Sequence, residues 1–375
     1  MKKIIILIFI SLFSFESNAQ VITGSLMHDG MQRDYVAYIP LNYSNANPVP
    51  LVLNFHGFTS NGSAALTVSN FQPIADTANF IVVCPTGSPL PFVNINHWNV
   101  GGFTNTSSAD DVSFTAALID TLEADYNIDL TRVYATGFSN GGFFSHKLAF
   151  ELSDRIAAIA SVSGTFTPQM MMNRLPTHPT PVLQIHGTLD PTVPYYGTIL
   201  NGGMASVDTV INYWINYNNC DTIATVTALP DISTNDGSTV EHYVYGNGDE
   251  GVTVELLKIT GGLHDWPGSS GNMDISASRE IWKFLSRHTK TIAGLNNLED
   301  KIAAINIFPN PTANYINVKN SSNDDLFYNL CTLSGKEVMS GKLKAGITRL
   351  DISQLTAAMY FFNINNSTLK IIKIN

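Results

Sequence analysis

The 375-residue sequence predicts an α/β protein built on a mostly parallel sheet, followed by a small all-β unit. Three observations predict it. Short apolar runs at 49–55 and 80–84 have the character of strands buried on both faces, and 157–162 and 182–185 read as further strands. Helix-length amphipathic segments alternate with them, the pattern of strands joined by helical crossovers. After Arg287 this gives way to short alternating segments punctuated by turns, the pattern of a sandwich of about 70 residues.

The first 19 residues stand apart from the fold. Lys2 and Lys3 precede an apolar run from Ile4 to Phe15, and Ser17-Asn18-Ala19 places small residues at a cleavage site, so residues 1–19 read as a signal peptide and Gln20 as the mature N-terminus. The apolar run is shorter than the roughly 20 residues that span a bilayer. Residues 21–40 read as a strand pair turning at Asp29-Gly30. The run 49–55 ends in His56-Gly57-Phe58 and a polar Ser/Asn/Gly loop, and 80–84 ends in Pro85-Thr86-Gly87. Residues 107–126 read as a helix, with a cap among Ser107-Ser108-Ala109-Asp110 and an apolar stripe of Val112, Ala116, Ile119 and Leu122. A short strand at 132–136 runs abruptly into Gly137, and 140–152 continues as a helix. An amphipathic helix at 207–217, a late strand at 252–259 and a final helix at 276–286 complete the first unit. Residues 289–304 read as a polar linker. Beyond it, strands are predicted at 316–318, 327–332, 348–352 and 359–364, with turns at Pro309-Asn310-Pro311 and Ser334-Gly335-Lys336. The expected organisation is therefore a signal peptide (1–19), a catalytic unit (20–288), a linker (289–304) and a β-unit (305–375).

Composition narrows the function. With 44% hydrophobic and 13% charged residues the chain is too apolar to be disordered. Residues 20–305 carry 11 Lys and Arg against 25 Asp and Glu, net −14, whereas 306–375 carry 7 against 4, net +3. The change of sign favours separate modules, and so acidic a body is a poor partner for nucleic acid. Cys84, Cys220 and Cys331 are odd in number and form no C-x2-C pair, so neither a metal scaffold nor a disulfide framework is expected, although a Cys84–Cys220 bond stays open.

Gly137-Phe138-Ser139-Asn140-Gly141 is a G-x-S-x-G motif in the context that gives it meaning, after a strand and at the start of a helix. A serine on that turn is held in strained geometry, with the helix N-terminus and the Asn140 N–H beside its hydroxyl. A second oxyanion donor belongs in the loop after the earlier central strand, where the Phe58 N–H is the candidate, Gly57 is the nearest alternative and His56 reads as structural. In the chain order serine, acid, histidine, Asp190 follows the strand at 182–185 by a short turn, and Asp208 and Asp221 lie on or beyond a helix. His264 follows the late strand and Gly261-Gly262, whereas His242 and His288 read as packing or surface residues. Ser139, Asp190 and His264 are thus the expected nucleophile, acid and base of an ester hydrolase working through an acyl-enzyme, with no cofactor and no metal. Phe58, Trp98, Tyr195, Tyr196 and Trp266 fall near the site by topology, which suggests an apolar or aromatic cleft; Trp98, Trp266 and Tyr195 are the candidate substrate contacts.

Four segments in order, Asp110-Asp111-Val112-Ser113-Phe114, Tyr134-Ala135-Thr136-Gly137-Phe138-Ser139-Asn140-Gly141-Gly142, His186-Gly187-Thr188-Leu189-Asp190 with Val193-Pro194-Tyr195, and His264-Asp265-Trp266-Pro267-Gly268, resemble the polyhydroxybutyrate depolymerase and feruloyl esterase group, related to carbohydrate esterase family 1. The resemblance covers residues 22–290. It implies an α/β-hydrolase fold and hydrolysis of carboxylic esters, whether of polyhydroxybutyrate, of feruloyl or acetyl groups on xylan, or of aromatic polyesters. Ile307-Phe308-Pro309-Asn310-Pro311, Leu333-Ser334-Gly335-Lys336-Glu337-Val338 and Leu350-Asp351-Ile352-Ser353-Gln354-Leu355 are similar to a type IX (Por) secretion sorting domain, which implies a secreted or surface-held product and the type IX secretion machinery as a partner. The expected partner at the site is an ester-bearing polymer or a small aromatic or aliphatic ester, and the expected state is a monomer. Two other readings compete: a secreted serine peptidase of the prolyl oligopeptidase type, for which the stretch from Gln20 to Thr136 is too short and too α/β to hold a propeller, and a non-catalytic surface adhesin, which would have no need of all three triad members.

Overall fold

The computed structural model describes residues 19–173, 176–290, 305–321, 325–332, 336–364 and 367–374. Residues 1–18 of the expected signal peptide, most of the linker and Ser334-Gly335 of the expected turn lie outside the described residues. Two compact units are present, one ending at Lys290 and one beyond it.

The first unit contains strands β1 (Gln20–His28), β2 (Met31–Ile39), β3 (Val49–Phe55), β4 (Ile81–Pro85), a small hairpin of β5 (Ser88–Leu90) and β6 (Ile95–His97), β7 (Ile128–Phe138), β8 (Ala158–Val162), β9 (Val182–Gly187), β10 (Thr225–Ala228), β11 (Thr239–Tyr245) and β12 (Val254–Thr260). Ten of them form one sheet in the order β1-β2-β4-β3-β7-β8-β9-β12-β11-β10. The pairs from β4 across to β12 are parallel, and an antiparallel hairpin flanks each side. This is the mostly parallel α/β sheet that the apolar runs predict, in the α/β-hydrolase arrangement that the resemblance implies. Every residue of β3, β4, β8 and β9 is buried, as strands covered on both faces require.

Helices α1 (Gly62–Ser69), α2 (Gln72–Ala78), α3 (Asp111–Asp125), α4 (Asn140–Glu151), α5 (Pro168–Asn173), α6 (Val207–Tyr217) and α7 (Ala277–Leu285) accompany the sheet. Alternate residues of one strand serve two cores. Leu51, Leu53 and Phe55 pack with α3, α4 and α6, whereas Val52 packs on the other side with α1, α2 and α7. Cys84 belongs to one core and Cys220 to the other, and both thiols are free, so the bond left open by the sequence is not made.

Two sequence expectations change. The polar stretch after Phe58 is not all loop: Asn61 caps α1 by accepting from Ala64 N, with its backbone extended as an N-cap requires. The cap of α3 is Asp110, whose side chain accepts from Ser113 N, so that helix begins at Asp111 and not at Ser107. Among the described residues no helix is long and apolar enough to cross a membrane.

The second unit is all-β. Strands β13 (Ile305–Phe308), β14 (Tyr315–Asn320) and β17 (Gly346–Asp351) form one sheet, and β15 (Leu326–Thr332), β16 (Glu337–Leu343), β18 (Ala358–Ile364) and β19 (Ser367–Lys373) form another. Ile316, Val318, Leu330, Tyr360, Phe362 and Ile371 make its core.

Candidate active site

The parallel strands deliver the expected residues to one edge. Phe58 follows β3, Ser139 follows β7, Asp190 follows β9 and His264 follows β12, all at carboxyl ends, where open α/β sheets bind ligands.

Ser139 sits between β7 and α4 with φ 53° and ψ −118°, a backbone conformation that side-chain-bearing residues rarely adopt. Its N–H donates to Val162 O of β8 at 2.8 Å, and its carbonyl accepts from Phe143 N at 3.0 Å, so both flanks of the turn are tied. The motif glycine Gly141 explains why the turn is this tight. A Cβ there would lie 2.0 Å from Phe55 O, so only glycine lets α4 press against the end of β3. The same approach brings the Gly57-Phe58 loop alongside: a Cβ built on Gly57 would lie 3.5 Å from Ser139 Cβ. The backbone N–H of Asn140 is the first of α4 and faces the helix N-terminus, the place for developing negative charge.

Asp190 and His264 come from loops that are bound to each other. Thr188 N donates to Ile259 O, Leu189 N donates to Gly262 O, and Gly261 N donates to Thr188 Oγ1. Asp190 Oδ1 accepts from Thr192 N and Val193 N, both at 2.8 Å, and Oδ2 accepts from His264 Nδ1 at 2.7 Å. Burial works against the charge on Asp190, but the hydrogen bond and charge of His264 and the Val193 N–H outweigh it and hold the carboxyl below its ordinary range. The His264 imidazole keeps partial exposure and lies 4.8 Å from the Phe138 ring, next to Ser139 in sequence.

A cavity of about 280 Å³ opens beside this edge, lined by Phe58, Ala65, Val68, Phe138, His264 and Trp266, among others. Of the candidate substrate contacts, the structure brings Trp266 to it. The Trp266 indole N–H donates to Ser278 Oγ, which fixes the ring in place. Trp98 and Tyr195 do not line this cavity. Trp98 is wholly buried, stacked on Phe144 at 5.0 Å, with its indole N–H donated to His56 O, so its ring meets core and not ligand. Tyr195 is 4% exposed and packs edge-on to His186, while its neighbour Tyr196 is the exposed one.

Asn140 has a role that the sequence reading lacks. Its side chain accepts from Trp98 N at 2.7 Å and donates to Trp98 O at 3.0 Å, which fastens the loop after β6 to the residue behind the serine. The amide at motif position x was the available signal. Arg33 was also unforeseen. It pairs with Asp111 at 2.8 Å in the interior, and Asp111 in turn accepts from Asn99 N, so the second acid of the first motif holds this same loop. His56 is structural as expected: its Nε2 accepts from Gly87 N, its Nδ1 donates to Gly57 O, and burial pushes its pKa down to about 4. His242 is bonded to Glu255 on β12, and the carbonyl of His288 accepts from the Tyr134 hydroxyl. Asp208 lies in the first turn of α6, and Asp221 accepts from the Asn247 side chain.

Residues 42–202 match the family described as phospholipase/carboxylesterase, and residues 306–374 match the secretion system C-terminal sorting domain. Over 261 residues the chain is 29% identical to the bifunctional acetylxylan esterase/xylanase XynS20E of Neocallimastix patriciarum, covering 69% of this chain and 34% of that protein. It is 29% identical to feruloyl esterase B of Piromyces equi, covering 62% of this chain and 42% of that protein. The chain thus spans between a third and a half of the length of these curated relatives. Among solved structures, the acetyl xylan esterase from Aspergillus awamori superposes with a TM-score of 0.51 at 14% identity, over 71% of this chain and 99% of that one, a likeness of fold.

Proposed function

We propose that this chain is an exported serine ester hydrolase acting on polymer-linked or aromatic esters through a Ser139–His264–Asp190 triad. The observation that carries the reading is the 2.7 Å bond from His264 Nδ1 to Asp190 Oδ2, formed at the same sheet edge as a serine held in a strained strand-to-helix turn. The match of residues 42–202 to a phospholipase/carboxylesterase family supports it.

In this mechanism His264 Nε2 takes the Ser139 proton as Oγ attacks the ester carbonyl carbon. Asp190 holds the imidazole with its proton on Nδ1 and stabilises the cation that forms. The N–H groups of Phe58 and Asn140 receive the oxyanion, an effect of about 3–4 kcal/mol per donor in comparable sites. The protonated imidazole then gives its proton to the leaving alcohol, and water, activated by the same base, releases the acid from the serine. The cavity under Phe58, Phe138 and Trp266 suits an apolar or aromatic acyl group. The names of the relatives favour feruloyl or acetyl groups on xylan over a polyester. Residues 1–19 would direct export across the inner membrane, and the C-terminal unit would engage the type IX machinery for passage to the surface or medium.

The test compares product release from feruloylated or acetylated xylan, amorphous polyhydroxybutyrate and an aromatic polyester film, with folded Ser139→Ala as the blank. Release mainly from xylan is the expected result. Release mainly from a polyester moves the substrate assignment, and wild-type turnover by Ser139→Ala overturns the mechanism. Cleavage of peptides without any ester would make the chain a peptidase.

A further inference from the structure

Behind the Asp190–His264 pair runs a buried series of polar side chains that the mechanism above does not use. Trp214 on α6, His146 on α4, and Gln184 and His186 on β9 are each no more than 1% exposed. Their hydrogen bonds have one direction. The Trp214 indole N–H can only donate, and it meets His146 Nδ1 at 3.3 Å. A neutral His146 therefore carries its proton on Nε2, which lies 3.1 Å from Gln184 Oε1. The Gln184 amide cannot be turned around, because its Nε2 also donates to the Gly164 carbonyl at 2.8 Å. That same Nε2 meets His186 Nδ1 at 3.1 Å. The His186 proton is left on Nε2, where the Val193 carbonyl, 2.8 Å away, needs a donor. Asp190 Oδ2 lies 3.4 Å from the same nitrogen.

We propose that His186 is a positioning residue for Asp190: the Trp214–His146–Gln184 relay fixes its Nε2–H tautomer, and that N–H holds the 190–193 turn and Asp190 Oδ2 in the orientation His264 requires. The inference rests on the ester-hydrolase reading of Ser139, Asp190 and His264. The turn is closed at both ends. Thr192 N and Val193 N hold Asp190 Oδ1, and the Val193 carbonyl returns to His186. The other tautomer would set an Nδ1–H against the Gln184 N–H and leave the buried Val193 carbonyl without its donor, so the relay excludes it. The ionisable groups facing His186 are Asp190, His264, His146 and Tyr195, whose ring lies edge-on at 5.9 Å. Burial pushes the His186 pKa below its ordinary 6.5 and that of His146 down to about 4, which keeps both rings neutral while the enzyme works.

Two measurements on the full chain test this. Histidine-selective nitrogen-15 NMR reads tautomers directly, and His186 is expected as the Nε2–H form at neutral and mildly alkaline pH. The second measurement is the pH profile of kcat/KM on a short p-nitrophenyl ester. In His186→Phe the donor is lost, the turn loosens and the imidazolium is held less well. We expect kcat to fall about tenfold at unchanged KM, and the acid limb to move down by about half a pH unit. His186→Gln, which can offer an N–H at similar reach, should restore most of the rate. Gln184→Leu leaves every Asp190 contact in place and should give mixed His186 tautomers with a partial loss, so it decides the matter if His186→Phe does not fold. An Nδ1–H form of His186, or folded His186→Phe and Gln184→Leu with wild-type profiles, overturns the proposal. Absence of all esterase activity in the wild type would instead sink the functional reading, and the tautomer spectrum would still decide the relay.

Discussion

Replacing Asp190 with asparagine tests the site severely, because the structure dictates which way the new amide must face. Asp190 Oδ1 accepts two backbone N–H groups at 2.8 Å, from Thr192 and Val193. Only the oxygen of the amide can take that place. Its nitrogen is therefore turned toward His264 Nδ1, where the carboxylate accepted at 2.7 Å. Two donors cannot face each other, so His264 must move its proton to Nε2 and offer Nδ1 as acceptor. The nitrogen that should take the Ser139 proton is then already protonated. An inverted tautomer of this kind costs about 10⁴-fold in kcat in a serine triad, equivalent to about 5.5 kcal/mol of barrier. The assay is steady-state hydrolysis of a short p-nitrophenyl ester at neutral pH, with circular dichroism to establish that the variant is folded. The reasoning makes KM insensitive, since Asp190 is buried and touches no substrate. A folded Asp190→Asn variant that keeps more than about a tenth of the wild-type kcat would refute the assignment, since general base catalysis alone supplies at least about 10².

Other predictions follow from the same geometry. Ser139→Gly should be inactive yet more stable than Ser139→Ala by about 1 kcal/mol in urea melts, because only glycine adopts φ 53°, ψ −118° without strain. Gly141→Ala should lose about 3 kcal/mol or fail to fold, since its Cβ would lie 2.0 Å from Phe55 O; an unchanged melting temperature would contradict the close approach of α4 to β3. Asn140→Ala removes both side-chain bonds to the Trp98 peptide and should cost about 2–3 kcal/mol, read by the same melts. For Glu255, burial raises the pKa, but the His242 hydrogen bond and the Arg287 guanidinium outweigh it and hold the carboxyl below its ordinary 4.5. Its contribution is then complete above pH 4.5 and is lost as the pH falls through the lower folded value, so Glu255→Gln should flatten the acid limb of the stability curve in that window.

What the sequence disclosed, and what it withheld, follows from where the signal lies. The parallel strands were legible because burial on both faces leaves unbroken apolar runs, as in Phe80 to Cys84. The flanking strand β10 was not, because all four of its residues are exposed and carry no hydrophobic pattern. Helix α1 was hidden because it is short and opens on Gly62-Ser63, although Asn61 was a readable cap. Ser139, Asp190 and His264 could be nominated because chain order and strand ends constrain them. The aromatic contacts could not be ranked this way: a position in a loop near the edge fixes a neighbourhood but not the direction of a ring, and so Trp98 turned inward while Trp266 reached the cavity. The buried Trp214–His146–Gln184–His186 series joins α6 and α4 to β9, a juxtaposition made by the tertiary fold alone.

The three unpaired thiols make the chain its own unfolding reporter. Cys84 has no exposed surface in the middle of the sheet, and burial pushes its pKa up to about 12, so neither access nor ionisation allows alkylation in the native state. A thiol reagent can reach it only when β4 leaves the sheet, and its labelling rate therefore measures the opening of the catalytic core. Cys331 sits half-buried on β15 in the other unit. Mass spectrometry that follows the two sites in one sample would read the opening of the sheet at Cys84 against the partly accessible Cys331 as internal reference, without any engineered probe.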